Sequence, residues 1–337
     1  MALRLALDTM GGDHGPGEII PAAIHTLKKH PELELQLVGL EDVVKSRLSS
    51  LSPDLSVRVQ IIHAPEVVTM DEAPSSALRN KKKSSMRVAI EQVKKGLAHA
   101  CVSSGNTGAL MAISRYVLKM LPGIDRPAIC TTIPGINNQT HILDLGANVD
   151  SSAEQLFQFA VMGAELAGAI NNIASPKVGL LNVGTEENKG NYRVKQAAGL
   201  LSGSHLNYIG FVEGNHIYSG HADVIVCDGF VGNIALKASE GVADFFSHHV
   251  FSEFKRNYYG RLASVISMPV LKSIRRKIDP RRYNGASLLG LRGIVIKSHG
   301  GADRVSFAHA LEEAILEVEK NIPARITSQL EALLIRN

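Results

Sequence analysis

With 337 residues, 45% hydrophobic content and a mean hydropathy of +0.05, the chain can bury one large core or two lobes and is too apolar to be disordered. A net charge of +4 is too mild to mark a nucleic-acid binder, and the lack of Trp with only 5% aromatic residues removes the stacking platform of single-strand readers. No run of about 18 apolar residues occurs, and Arg4 and Asp8 interrupt the N-terminus before a signal-peptide core can form, so a cytoplasmic protein is expected.

Residues 3–7 form a short apolar strand ending at Asp8, the loop Met10-Gly11-Gly12-Asp13-His14-Gly15-Pro16 turns the chain, and 18–29 reads as a helix. Gly11 and Gly12 permit close backbone approach to a ligand, but their spacing is not that of a dinucleotide fingerprint. Strands are expected over 33–38 and 57–63 with a helix over 41–51 between them. The cluster Arg79, Lys81, Lys82 and Lys83 precedes Ser84-Ser85, an N-cap for a helix over 86–95; it is either a solvated face or a site for an acidic partner.

The strand over 98–102 runs into Ser103-Ser104-Gly105-Asn106-Thr107-Gly108 and a helix over 109–119. The strand over 142–145 runs into Gly146-Ala147-Asn148-Val149-Asp150 and a helix capped by Ser151 or Ser152. This layout returns at 179–192, at 224–233 and at 294–303. Cys101, Cys130 and Cys227 lack ligand spacing, so three buried thiols and no structural zinc are expected. Cys227 is a weak nucleophile candidate, because the adjacent Asp228 raises a thiol pKa.

The stretch 179–192 carries the densest chemistry. Leu180, Leu181 and Val183 form a buried strand, and the polar run after Gly184 holds Glu186 and Lys189 where a helix begins. A lysine beside helix N-termini favours an anionic reactant.

Alternating strands and helices imply a largely parallel sheet covered on both faces, with its polar loops along one edge. That edge would gather Asp8, Asp13, His14, Asn106, Thr107, Asp144, Asn148, Asn182, Glu186, Lys189, Asp228, Asn233 and His299. Each alone reads as a cap or turn residue; their recurrence at six strand ends points to a site. Asp8, Asp13, Asp144, Asp150 and Asp228 could bind Mg²⁺ only if the fold brings them together, so no metal is assigned; with no P-loop and no serine elbow, ATP-dependent and serine-nucleophile mechanisms lose ground, and no cofactor is assigned.

Residues 245–283 break the rhythm. Tyr258, Leu262, Val265 and Ile266 fall at helical spacing, Pro269 is expected to interrupt, and Leu271, Ile274 and Ile278 form a second stripe. Across 251–284, Lys255, Arg256, Arg261, Lys272, Arg275, Arg276, Lys277, Arg281 and Arg282 face only Glu253 and Asp279, a net charge of +7. A basic amphipathic helical pair suits an anionic lipid surface, an acidic protein or a subunit interface. The expectation is one catalytic α/β domain over 1–337 with this tip at 251–284.

The blocks DTMGGDHGP, SSGNTGALM, LDLGANVD, GLLNVGTEENKGN, VCDGFVGNIALKASEG and GASLLGLRGIVIKSHGGAD, in that order over most of the chain, resemble the phosphate acyltransferase family of bacterial phospholipid synthesis. The resemblance implies a three-layer α/β/α fold with a largely parallel, mixed sheet, similar to isopropylmalate dehydrogenase and phosphotransacetylase. It implies attack of inorganic phosphate on a long-chain acyl thioester of acyl carrier protein. It also implies a homodimer, peripheral membrane association, and hand-over of acyl phosphate to a membrane glycerol-3-phosphate acyltransferase.

Such a reaction needs preorganised cations and N–H donors more than a strong base. On that reading Lys189, Asn182, Asn233, His14 and His299 are catalytic, Lys189 meeting phosphate or the developing oxyanion and a histidine moving a proton. Asp8, Asp13, Asn106, Thr107, Asp144, Asn148, Glu186 and Asp228 then bind substrate. The alternatives are a metal-dependent dehydrogenase of the isopropylmalate type and a non-enzymatic lipid-binding scaffold.

Overall fold

Near-continuous apolar strands need cover on both faces, and they receive it in one eleven-stranded sheet flanked by helices. The computed structural model describes residues 3–136 and 138–334, apart from the side chains of 274–278, 280, 282, 333 and 334.

In the first half β1 (Leu3–Asp8), β2 (Leu33–Gly39), β3 (Val59–His63) and β4 (Ala100–Ser103) are parallel. They alternate with α1 (Pro16–Lys29), α2 (Glu41–Leu48), α3 (Pro53–Ser56), α4 (Pro74–Asn80) and α5 (Ser85–Lys94), and α6 (Thr107–Leu118) follows β4. The second half holds β5 (Ala128–Pro134), β6 (Gln139–Leu143), α7 (Ala153–Asn171), β7 (Val178–Leu181), α8 (Tyr192–Ser202), β8 (Tyr208–Val212), β9 (Val224–Val226) and α9 (Gly229–Arg256). After α10 (Tyr258–Ile278) come β10 (Ala286–Leu289), β11 (Ile294–Lys297), α11 (Arg304–Lys320) and α12 (Ile322–Leu334).

Strand order is β3-β2-β1-β4-β11-β10-β5-β6-β9-β7-β8, so the C-terminal pair β10–β11 is inserted between the two halves. The contacts β11–β10, β10–β5 and β5–β6 are antiparallel, an odd number of reversals. β6, β9, β7 and β8 therefore run opposite to β1–β4 and β11. The mixed α/β sheet agrees with the fold class expected. Strands β5, β8 and β10 were not foreseen, and two of them carry the reversals.

Local signals set the helix ends. Ser152 and Gln155 form a reciprocal capping box at the start of α7, and Asn172 closes it in a left-handed conformation, φ 54°. A Cβ at Gly163 would sit 2.6 Å from Val224 Cγ1 and 2.7 Å from Leu143 Cδ1, so its absence lets α7 lie close on β9 and β6. Phe159 on α7 and Phe307 on α11 are fully buried, each contributing on the order of 2–3 kcal/mol by leaving water.

Two expectations at element ends are corrected. Val183 is 81% exposed, because β7 stops at Leu181. Pro269 does not interrupt: α10 continues through it, and Val265, whose carbonyl loses its donor, is exposed to water that can take its place. The stripe residues Ile274 and Ile278 and the cations Arg275, Arg276, Lys277 and Arg282 lie outside the described side chains.

Candidate active site

Two polar centres form where strands give way to helices. In the first, Asp8, Ser103 and Lys297 end β1, β4 and β11 on one rung of the sheet. Asp8 is buried; Ser103 Oγ donates to its Oδ2 at 2.7 Å, and Ser85 and the backbone of Met10 also donate to it. Burial raises its pKa, and these donors oppose the rise.

Lys297 is 8% exposed and its ammonium donates to Ser104 O at 3.4 Å and to Ser298 O. Burial lowers its pKa to about 8 against the attraction of Asp13 and Asp8. Three glycine-bearing loops close over it. A Cβ at Gly11 would lie 2.7 Å from Gly105 N, and one at Gly12 2.7 Å from Gly300 O. Only glycine fits, and at φ +78° Gly12 is also in the left-handed region.

His299 is held at the rim, its N–H donating to Asn284 Oδ1 at 2.9 Å and its Nδ1 accepting from Gly301 N at 3.1 Å. Asp13, His14 and Thr107 are exposed there. Asn106 caps α6 by accepting from Ala109 N at 3.0 Å and donates to Met70 O and Glu72 O.

In the second centre, Asp144 follows β6 fully buried. Its Oδ1 accepts from Ile129 N and Ala147 N at 3.0 Å each, and its Oδ2 from Asn148 N at 2.6 Å and Asn148 Nδ2 at 3.0 Å. Burial raises its pKa against those donors. Asn148 also donates to Pro127 O at 2.8 Å. Asp228 caps α9, accepting from Val231 N at 2.8 Å, and a Cβ at Gly232 would fall 1.9 Å from Asp144 O, so α9 begins pressed against the Asp144 turn. Burial, then Asp144 and Asp228, push the Cys227 thiol far up, leaving no thiolate nucleophile.

The β7–α8 loop completes this centre. Asn182 Nδ2 donates to Gly184 O at 3.1 Å, and its Oδ1 occupies the space a Cβ at Gly190 would need, at φ +88°. Asn191 caps α8, and Arg193 pairs with Asp150 across to the start of α7. Glu186 and Lys189 are exposed, and the Lys189 ammonium makes no hydrogen bond or ion pair among the described residues. Asn233, in the first turn of α9, is exposed opposite Gly146.

One edge was expected; the sheet gives two. Leu143 shares a rung with Cys130, Ser287, Ile296, Val102 and Leu7, after which β6 and β1 leave in opposite directions. Five strand spacings of about 4.8 Å separate them, roughly 24 Å. The first centre holds Asp8, Asp13, His14, Asn106, Thr107 and His299. The second holds Asp144, Asn148, Asn182, Glu186, Lys189, Asp228 and Asn233. Within one chain His14 and His299 are therefore not brought to Lys189. Among the described residues no group of three or more Asp, Glu, His or Cys side chains is arranged to hold a metal ion.

Lys297, Ser103 and Ser85 were missed as site residues. A signal existed for Lys297, a lysine closing the apolar run Ile294-Val295-Ile296.

The family described as fatty acid synthesis protein matches residues 3–325. The chain is 58% identical over 333 residues to a phosphate acyltransferase of Alkalilimnicola ehrlichii, covering 99% of this chain and 97% of that one. It is 58% identical over 326 residues to a phosphate acyltransferase of Methylococcus capsulatus, covering 97% and 96%. Among solved structures, a phosphotransacetylase from Streptococcus pyogenes superposes with a TM-score of 0.61 at 19% identity, over 95% of this chain and 94% of that one. A putative 4-hydroxythreonine-4-phosphate dehydrogenase from Salmonella typhimurium superposes at 0.54 and 12% identity, over 94% and 99%. At such identities these two speak for the fold alone.

Proposed function

The chain belongs to the fatty acid synthesis protein family, and from that premise we propose that it moves the acyl group of a long-chain acyl–acyl carrier protein thioester onto inorganic phosphate. A phosphate oxygen attacks the thioester carbon, the C–S bond breaks, and the phosphate proton ends on the leaving sulfur. The products are acyl phosphate and free carrier thiol. It is a phosphate acyltransferase, as its relatives with near-complete coverage are named.

Phosphate binding and attack belong to the second centre. The supporting observation is the unpaired Lys189 ammonium on the β7–α8 loop, beside the starts of α7, α8 and α9. Asn233 has a free amide there to donate to the developing oxyanion. Asn182 spends its amide inside the loop and so positions Lys189. Asp144 and Asn148 fix the floor of the site, and Asp228 holds the first turn of α9.

The first centre guides the thioester arm; because it lies on the opposite sheet edge from Lys189, the proposed homodimer must set the first centre of one protomer beside the second centre of its partner for the thioester carbon to reach phosphate. Its exposed His14, His299 and Thr107 supply polar contacts at the rim, over a base locked by Asp8 and Lys297. Residues 1–337 then act as one catalytic unit, with 251–284 as its tip.

The α9–α10 hairpin seats the enzyme on the membrane as a peripheral protein, where a glycerol-3-phosphate acyltransferase takes the product. In α9 only Gly229 and Gly232 are buried among the described side chains, and Phe245, Phe246, Tyr258, Tyr259 and Ile266 are exposed. No helix among the described residues is long and apolar enough to cross a membrane. A homodimer fits the same face, since helices with uncovered apolar sides also pair with their own copy.

The deciding experiment is phosphate-dependent thiol release from acyl–acyl carrier protein, with acyl phosphate trapped as hydroxamate. Release that requires both substrates is expected; none with any chain length overturns the reading.

A further inference from the structure

Away from both centres, the outer faces of α5 and α6 and the loop before α5 carry a strong positive field. Across residues 79–119 nine lysines and arginines stand against Glu91 alone, a net charge of +8 in a chain of net +4. Sequence proximity suggested only the group at 79–83. Helix geometry adds the rest: Arg87, Glu91 and Lys94 recur at i, i+4 and i+7 on one stripe of α5.

The face has shape as well as charge. A cavity of about 300 Å³ is lined by Arg87, Glu91, Lys94, Lys95, Tyr116 and Val117. Tyr116 on α6 is 54% exposed, and two cations sit over its ring: Arg87 at 5.5 Å from the centroid and Lys119 at 4.8 Å. Of these cations only Arg87 has a carboxylate partner, Glu91 at 3.1 Å. Lys82, Lys83, Lys94, Lys95 and Lys119 are exposed.

The two helices begin at the first centre. Ser85, the first residue of α5, hydrogen-bonds to Asp8, and Asn106 caps α6 beside it. At 1.5 Å per residue α5 is about 15 Å long, so anything held on this face lies within one helix length of that centre.

We propose that the α5–α6 face, with the Tyr116 groove at its middle, is the docking surface for the acidic acyl carrier protein, and that it delivers the thioester arm into the first centre. This rests on the acyl-transfer reading above. Charge complementarity selects the occupant: a field of this strength with one carboxylate attracts an acidic surface, and ring-bound cations are preorganised to meet carboxylates. The hairpin α9–α10 is then left to the lipid.

The test uses the full-length enzyme and three variants: Lys94→Glu/Lys95→Glu, Tyr116→Ala, and Lys255→Glu/Arg256→Glu as the control at the tip. KM is measured for acyl–acyl carrier protein, for acyl-pantetheine, which has no protein part, and for phosphate. The proposal expects Lys94→Glu/Lys95→Glu to raise the carrier KM about tenfold or more and to flatten its salt dependence. KM for acyl-pantetheine and for phosphate should stay unchanged, and so should the carrier KM of the tip variant.

An unchanged carrier KM in the α5 variant overturns the proposal, as does an equal rise for acyl-pantetheine. If the α5 variant instead loses binding to vesicles of anionic phospholipid while its carrier KM holds, the face belongs to lipid and the proposal falls. A wild-type enzyme that turns over acyl-pantetheine but not the carrier thioester removes the carrier from the reaction itself, a failure distinct from a misplaced dock.

Discussion

Ser103 Oγ donates to Asp8 Oδ2 at 2.7 Å, a buried hydrogen bond between the last residues of two neighbouring strands. With Ser85 and the Met10 N–H it makes Asp8 the hub on which β1, β4 and α5 meet. Asp8→Ala strands those donors in the interior and should cost about 3 kcal/mol of unfolding free energy, read from denaturant midpoints. Asp8→Asn keeps an acceptor and should cost less. A loss in the alanine variant below about 1 kcal/mol would mean water replaces the carboxylate.

Lys189→Ala should lower kcat by about 10²-fold or more with thermal stability unchanged, as removal of one oxyanion donor does in acyl transfer. Asn182→Ala should lower kcat too, by releasing the loop it pins. That variant alone should be cut faster by protease within 182–191. Near-normal turnover of the lysine variant removes the second centre from the chemistry.

Two buried groups give stability opposite pH slopes. Lys297 in the folded chain loses its proton near pH 8, whereas the unfolded chain keeps it to its ordinary 10.5. Between those values unfolding takes up a proton, so rising pH stabilises the fold. The gain is on the order of 3 kcal/mol, and the curve for Lys297→Met should lack it. Glu313, its carboxyl raised by burial from 4.5 to about 7, binds a proton in the fold that the unfolded chain has released. Stability should fall from pH 4.5 to 7, and Glu313→Gln should make that fall shallower, the carboxyl of Glu317, also raised by burial, keeping its own share. Difference curves from urea unfolding separate the two.

Phe245→Ser/Phe246→Ser on α9 should weaken binding to anionic phospholipid vesicles about a hundredfold, given roughly 1.5–3 kcal/mol per buried aromatic. Turnover of soluble substrates should persist. Co-sedimentation reads the first and thiol release the second. If the variant instead dissociates a dimer and keeps its vesicle binding, the hairpin's apolar side belongs to a second copy of the chain.

Much of the architecture could be read from residue patterns, and the failures have physical causes. Strands closing on Asp8, Ser103, Leu143 and Val226 announce themselves by apolar runs followed by small polar loops. Strands β5 and β10 do not, since Thr131, Thr132 and Ser287 dilute their apolar character. Missing them hid the reversals, so residues at opposite ends of the sheet were placed on one edge. Asn233 and Lys189 could be picked out because polar residues at a strand–helix junction are informative. Lys297 left only the trace of a lysine closing an apolar run, and the packed structure alone shows that it is buried near two carboxylates. Tyr116 was silent: its partners Arg87 and Lys119 lie 29 residues upstream and three downstream, and helix packing alone unites them.

The position of β10 and β11 has a consequence for how the chain is made. Residues 286–297 sit between β4 and β5, yet they leave the ribosome after nearly everything else. Until they arrive, each half-sheet exposes an open edge, the kind of surface on which chains join one another. Synthesis at about 5–20 residues per second leaves β4 waiting on the order of ten seconds or more for its neighbour. Nascent chains stalled before residue 286 should therefore bind holding chaperones, and those extended past 297 and clear of the exit tunnel should release them. The last strand pair of the sequence is the clasp that closes the molecule.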